Sequence, residues 1–449
     1  MLTENAQACA HPLAFVRAQR GWSYQKLARV VAKRARDLGV ANMAAERQKV
    51  WRWEHRGVIP DRVSQLALAT ELGVPTERLE SHPWPSWLPT GDNVRTDYPW
   101  TQAGSLSALT DVVQDALTDR RGFLTITGSG VAALVADWLE VEPAQLAGAA
   151  DGGLVDEQIV HRIAHNIPGL RVMDERLGGE SVRRLVDAEL GVVTDLLSRS
   201  RYSERIGRQL HAVAAELARF AGWVSFDAGY QTAAQRYWVT AMHAAQVGGD
   251  RLLGANVLKN MALQCIDHSR PAEAIELASA AVRTGAGATG RVGAMLHMRK
   301  ARAHAALGDQ VACMRELGVA EAAFGHAKAQ DPAWAVYFDE AEFSAQVGCC
   351  YVDLGHLPSA DRWLDQALRA HPADKVRDRA TYLLLRSGVL LDLGELEAGC
   401  ALAAEAMPLL AVTRSRRNVH RAGEVRRRLR RHTAMPTAHD LDQRLAEMI

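Results

Sequence analysis

A chain of 449 residues, 48% hydrophobic and 23% charged, has room for two or three folded domains and is too apolar for a disordered protein. Its apolar runs are short and broken by charge, so no membrane span or membrane partner is expected, and no basic-then-apolar leader opens it. Six cysteines without a CxxC spacing argue against a disulfide framework and point to a reducing cytoplasm.

The net charge is only +1 but is unevenly placed. From Leu13 to Arg62 there are twelve Lys or Arg against four Asp or Glu. Such a local excess suits a polyanionic partner.

In chain order, Pro12 opens a first helix that Gly21 ends, with Leu13, Phe15 and Val16 on its apolar side. Ser23 caps a second, whose stripe is Leu27, Val30, Val31 and Leu38. A third is expected over 44–55, with Val50 and Trp53 inward, and Gly57 ends it. Pro60-Asp61 opens a fourth, and Gly73-Val74-Pro75-Thr76 a short fifth with Leu79 packing back.

On the exposed side of the third helix, Arg47, Gln48, Lys49 and Arg52 are the side-chain types that read base edges. Lys26, Arg29, Lys33, Arg34 and Arg56 are the better candidates for phosphate contacts. Glu54 is expected to pair with a nearby arginine, and Trp53 to be core.

These helices resemble the helix-turn-helix domain of the XRE/Cro repressor-like family. The resemblance is carried by Arg17-x-x-Arg20-Gly21-Trp22-Ser23, Leu27-Ala28, Val50-x-Arg52-Trp53-Glu54, Gly57-x-x-Pro60 and Leu66-x-x-Ala69-x-x-Leu72-Gly73-Val74. It implies that the third helix lies in the major groove and the second across the backbone. Two features depart from the family. Tyr24 stands where it usually has Gln, and residues 35–43 lengthen the turn before the third helix.

A Pro- and Trp-rich strap, residues 82–92, marks a boundary, and 106–117 reads as a helix. Asp119-Arg120-Arg121-Gly122-Phe123-Leu124 has the look of a twin-arginine signal but lies far inside the chain. Gly128-Ser129-Gly130-Val131-Ala132-Ala133 matches a dinucleotide fingerprint, yet an Ala-rich helix with Trp138 follows, and no second strand.

From about Asp156 onward nearly every segment is an amphipathic helix, and a repeat of about forty residues appears. Its positions are Gly222, Gly229, Ala234, Trp238 and Ala241; then Ala262, Ser269, Ala274, Ala278 and Ala281; then Ala301, Gly308, Cys313, Leu317 and Ala320. Gly348, Tyr351, Gly355, Ala360, Leu364, Ala367 and Pro372 form the fullest unit, and Ser387, Gly394, Ala403 and Ala406 a looser fifth. This is similar to the tetratricopeptide repeat family, whose unit is a helix pair.

That resemblance implies a groove lined by the first helix of each pair. On those helices Asn256, Lys259 and Asn260 share a face, as do His297, Lys300 and His304. Tyr351 joins them, and Arg219, Arg299, Glu342, Tyr382 and Arg386 also lie on first helices. Residues 412–432 are Arg-rich and read as a solvated capping helix, with a second phosphate contact as the alternative; a short helix follows Pro436.

The expectation is therefore an all-α chain: a five-helix DNA-binding domain (10–84), a connector (85–155), an α-solenoid of tetratricopeptide-like pairs (156–432) and a tail helix (433–449). The combination resembles bacterial regulators, some of which sense peptides, while others act in actinobacterial development and antibiotic production. It implies a homodimer on a double-stranded operator, with a peptide or small molecule as signal. A non-enzymatic interaction scaffold is the alternative. No nucleophile–base set, metal spacing or phosphate loop is visible, so no enzyme, metal or cofactor is assigned.

Overall fold

The computed structural model describes residues 12–19, 22–40, 43–56, 58–72, 74, 76, 79, 84–85, 87–88, 94–116, 129–140, 154–326, 331–372 and 375–448. The described chain is all-helical; its one β-bridge joins Leu154 and Arg201. It forms two compact units that divide in sequence between Val94 and Arg95.

The first unit holds α1 (Pro12–Gln19), α2 (Tyr24–Asp37), α3 (Arg47–His55) and α4 (Arg62–Leu72). The expected fifth helix lies largely outside the described residues, though Val74 and Leu79 are buried. Ser23 Oγ caps α2 by accepting from Lys26 N–H at 3.1 Å. Leu27, Ala28, Val31, Ala32 and Ala35 form the buried stripe of α2, whereas Leu38 is 48% exposed. Leu38 is past the last helical residue, so the helical period no longer aims it at the core.

Helix α3 begins at Arg47, three residues later than expected. The carbonyl of Ala45 accepts from Gln25 Nε2 at 2.8 Å, and Lys49 N–H turns to Glu46 O at 3.1 Å. An α-helix started at Ala44 would need Lys49 N–H on Ala45 O, and that N–H goes to Glu46 O instead. Val50 and Trp53 are buried, as are Trp87 and Leu88 of the strap, and Trp87 Nε1 donates to Gln65 Oε1 at 3.0 Å.

The second unit takes in both helices that the sequence assigned to a connector, α5 (Gln102–Ala116) and α6 (Ser129–Glu140). The twin-arginine look-alike, and the fingerprint up to Gly128, lie outside the described residues. From Ser129 on, the fingerprint is itself part of α6; Trp138 is buried in that helix and its Nε1 donates to Thr284 Oγ1 at 3.0 Å.

Then come α7 (Glu157–Leu177) and α8 (Gly179–Arg199), separated at Gly178, and a run of pairs. These are α9 (Glu204–Asp227) with α10 (Gln231–Gly248), α11 (Arg251–Asp267) with α12 (Pro271–Thr284), and α13 (Gly290–Leu307) with α14 (Gln310–Phe324). A short 3₁₀ turn at Ala333–Ala335 precedes α15 (Glu340–Asp353) with α16 (Leu357–Ala370), then α17 (Val376–Leu393) with α18 (Leu396–Thr413). The first helix of each pair also touches the first helix of the next. Helices α19 (Arg416–Leu429) and α20 (Pro436–Met448) close the unit.

The repeating positions have a common physical role. Gly222 lets α9 close on α10: a Cβ there would sit 2.3 Å from the Trp238 ring. Gly229, Ser269, Gly308, Gly355 and Gly394 all take left-handed backbone at the turn inside a pair. The alanines three to eight residues into each second helix are fully buried at most positions, Ala234, Ala274 and Ala360 among them.

Among the described residues one helix, α18, is long and apolar enough by composition to cross a membrane. It nevertheless packs on α17 and buries Cys400, Ala403, Ala406, Met407 and Leu410. The Arg-rich helix α19 is not simply solvated. Arg417 reaches Asp267 at 3.0 Å, Arg426 reaches Asp442 at 2.8 Å and Arg428 reaches Asp392 at 2.8 Å. Carboxylates on neighbouring helices draw those side chains inward.

Candidate nucleic-acid interface and ligand cavity

In the first unit, one face of α3 anchors and the other is open. Glu54, with its side chain 1% exposed, accepts from Arg17 Nε at 2.8 Å and from Arg17 Nη2 at 3.1 Å. Arg17 also donates to Trp22 O and lies over the Tyr24 ring at 4.0 Å. This contact ties α3 to α1 and sets the rotation of α3. The rotation leaves Arg47, Gln48, Trp51 and Arg52 on the outside.

Lys26, Arg29 and Lys33 are exposed along α2, and Arg56 just beyond α3. Neither these nor Arg47 and Arg52 have an ion-pair partner among the described residues. Two sequence-chosen cations differ. Lys49 turns toward the start of α4, 3.1 Å from Asp61 Oδ2 and 3.1 Å from Ser64 Oγ. Arg34 pairs with Glu71 at 2.6 Å and Asp37 at 3.3 Å. Trp51 is 40% exposed and stacks on His55 at 5.0 Å.

The second unit contains a cavity of about 480 Å³. The inner helices α9, α11, α13, α15 and α17 line it with Arg219, Lys259, Arg299, Glu342 and Tyr382; α7, the 333–337 segment and α19 also contribute. Most of its charges are paired. Arg377 bridges Asp174 and Glu175 of α7, and Arg171 pairs with Glu216. Arg302 lies 3.4 Å from Asp353. Glu342 accepts from Tyr382 Oη at 2.6 Å and Gln346 Nε2 at 2.9 Å, and burial raises its pKa, with Asp378 adding to the effect.

Three cations stand apart: Arg219, Lys259 and Arg299, 7%, 4% and 6% exposed. Lys259 Nζ donates to Tyr337 Oη at 2.6 Å, and none of the three has a carboxylate partner among the described residues. Nε of Arg219, and Nε and Nη1 of Arg299, are buried without a hydrogen-bond partner among the described protein atoms. Burial holds the Lys259 ammonium well below its usual pKa, reinforced by Arg299 and Arg219. Burial likewise lowers Arg219 to about 10, aided by Arg171, and Arg299 to about 10, aided by Arg302. Tyr337 keeps 39% of its surface open, yet its hydroxyl is crowded enough by protein that burial raises its pKa.

Of the groove residues singled out from the sequence, Arg219, Lys259, Asn260, Arg299, Glu342 and Tyr382 line this cavity. Asn256 is buried outside its lining. His297 and Lys300 instead meet Glu316 on α14, at 2.8 and 2.9 Å, and His304 lies 3.5 Å from Asp309. Tyr351 lies 3.9 Å from Met314 Sδ. The two histidines and Lys300 therefore face the second helix of their own pair, and Tyr351 the second helix of the preceding pair.

No family model matches this chain, and no curated protein sequence does.

Proposed function

We propose that the chain is a sequence-specific DNA-binding transcriptional regulator of the XRE/Cro-like type, acting as a cytoplasmic homodimer. In this reading α2 and α3 are the helix-turn-helix, with α3 in the major groove. The pairs α9 to α18 form a tetratricopeptide-like solenoid that provides dimer contacts, a signal site, or both. The observation that carries it is the division of α3 into two faces. Val50, Trp53 and Glu54 are held inward, while Arg47, Gln48 and Arg52 stand exposed. Exposed cations along α2 flank them, as backbone-positioning contacts require. In a dimer the two α3 helices would lie about 34–36 Å apart, one turn of DNA. Signal binding acts on DNA affinity only if it favours one arrangement of the two heads.

The test is a gel shift of the full chain on genomic fragments across a salt series. The expected result is a preferred fragment set whose affinity falls steeply with salt. Absence of any preferred fragment overturns the reading. A protein-interaction scaffold is the second reading, and exposed Trp51 favours it, because aromatic side chains are enriched at protein interfaces. Capture of a protein partner that Trp51→Ala abolishes, with no DNA preference, would select it.

A further inference from the structure

We propose that the cavity of the second unit binds a small organic dianion, a phosphate monoester or a dicarboxylate, through Arg219, Lys259 and Arg299. The inference rests on reading this cavity as the signal site, and it names the chemistry of the signal.

The charges around the cavity are unevenly compensated. Of the other lining arginines, Arg171, Arg302, Arg377 and Arg417 each have a carboxylate partner, Arg421 donates to Asn418, and Arg176 is exposed. Arg219, Lys259 and Arg299 have none among the described residues, although each is more than nine-tenths buried. A buried cation without a carboxylate in contact is costly, and here Glu342, Glu216, Asp174 and Asp267 act on the three only from beyond ion-pair distance. Glu342 on the next inner helix takes its hydrogen bonds from Tyr382 and Gln346, not from these cations.

The three are also placed alike. They recur at intervals of forty residues, one on each of α9, α11 and α13. All three line the same cavity and act on one group, the Tyr337 hydroxyl, Lys259 by a direct hydrogen bond and the two arginines by charge. Asn260 adds a buried Nδ2 with no partner among the described protein atoms. Guanidinium groups match carboxylate and phosphate oxygens in a planar fork, and three cations suit two negative charges better than one.

The rest of the cavity limits the size and character of the ligand. About 480 Å³ holds a small molecule or the end of a short peptide, not a folded domain or a duplex. Phe220, Trp223 and Trp334 give it an apolar wall for the uncharged part.

The experiment uses the full-length protein and two readouts, thermal unfolding and calorimetric titration. The probes are adenosine 5′-monophosphate, succinate and an acetylated dipeptide ending in aspartate. Their neutral counterparts are adenosine, succinamide and the fully amidated dipeptide. The expected result is saturable, one-to-one binding of at least one dianion and not of its neutral counterpart. Which probe binds separates a phosphate metabolite from a free dicarboxylate or a peptide end. Arg299→Met and Lys259→Met should each weaken that binding about tenfold or more.

A second measurement needs no ligand. If the cations are held for an anion, their mutual repulsion is a burden on the empty protein. Arg299→Met and Lys259→Met then raise its unfolding midpoint. Lowered midpoints for both variants, or no saturable binding of any dianion, would overturn the proposal. Anion binding without operator preference would sink the regulator reading and leave the site standing. Operator preference without anion binding would do the reverse.

Discussion

Arg17 Nε lies 2.8 Å from Glu54 Oε1, joining the first and third helices through a carboxylate that is 1% exposed. Removing the arginine leaves that carboxylate buried without its charge partner, which in comparable sites costs about 3–5 kcal/mol. Arg17→Met should therefore destabilise the first unit more than Glu54→Gln, which keeps the shape and removes the charge. Denaturant unfolding of the full chain, followed by hydrogen exchange of the amides of α1 to α4, gives the comparison. Equal destabilisation by the two variants would show that packing, not the buried charge, governs this pair.

The exposed and the paired cations of the first unit should behave differently on DNA. Arg47→Ala, Gln48→Ala and Arg52→Ala are expected to relax sequence preference, at roughly 1–3 kcal/mol for each good base contact. Lys26→Ala, Arg29→Ala and Lys33→Ala should weaken all sequences alike and flatten the salt dependence by about 0.9 for each phosphate no longer neutralised. Lys49→Ala should act less through base choice, because that ammonium is held by Asp61 and Ser64. Binding profiles on a randomised operator library separate the three groups.

Ser269 has φ of 57°, at the turn where the other pairs use glycine. An L-residue there is strained, and glycine is not. Ser269→Gly should stabilise the second unit by about 1 kcal/mol, read as a raised denaturant midpoint at unchanged slope. A lowered midpoint would mean that the serine makes up for its backbone in some other way.

His243 stacks on Trp100 with ring centres 3.9 Å apart, and burial lowers its pKa to about 4. The unfolded chain therefore binds a proton here, between about pH 6.5 and 4, that the folded chain refuses. The contribution of this residue is present above that window and is lost as pH falls through it. Relative to His243→Phe, the wild type should lose up to roughly 3 kcal/mol between pH 7 and pH 4. Parallel stability curves for the two proteins would contradict the assignment.

The helices and their partners were largely legible because periodicity and turn residues report local geometry. Gly222 against Trp238, and left-handed turns from Gly229 to Gly394, follow from the repeat alone. The pairing of Glu54 with an arginine was also readable, although the choice of Arg17 needed the fold. The cavity was harder to foresee. Spacing within one helix groups His297, Lys300 and His304 correctly, but it does not say which neighbour that face meets. The informative signal was the step between repeats, Arg219 to Lys259 to Arg299, because equivalent positions on successive first helices face the same space. The turn of Lys49 toward Asp61 depends on where α4 begins relative to α3, which no local pattern encodes.

Arg377 of α17 grips Asp174 and Glu175 of α7, Ser415 Oγ donates to Asp227 at 2.7 Å, and Arg417 reaches Asp267. An ordinary row of repeats has two loose ends and can fray from either. Here the last members are fastened back onto the first, so peeling away one pair means breaking the fastening as well. The second unit should come apart all at once, and a protease should find either the whole array or fragments too small to persist, with few trimmed intermediates between.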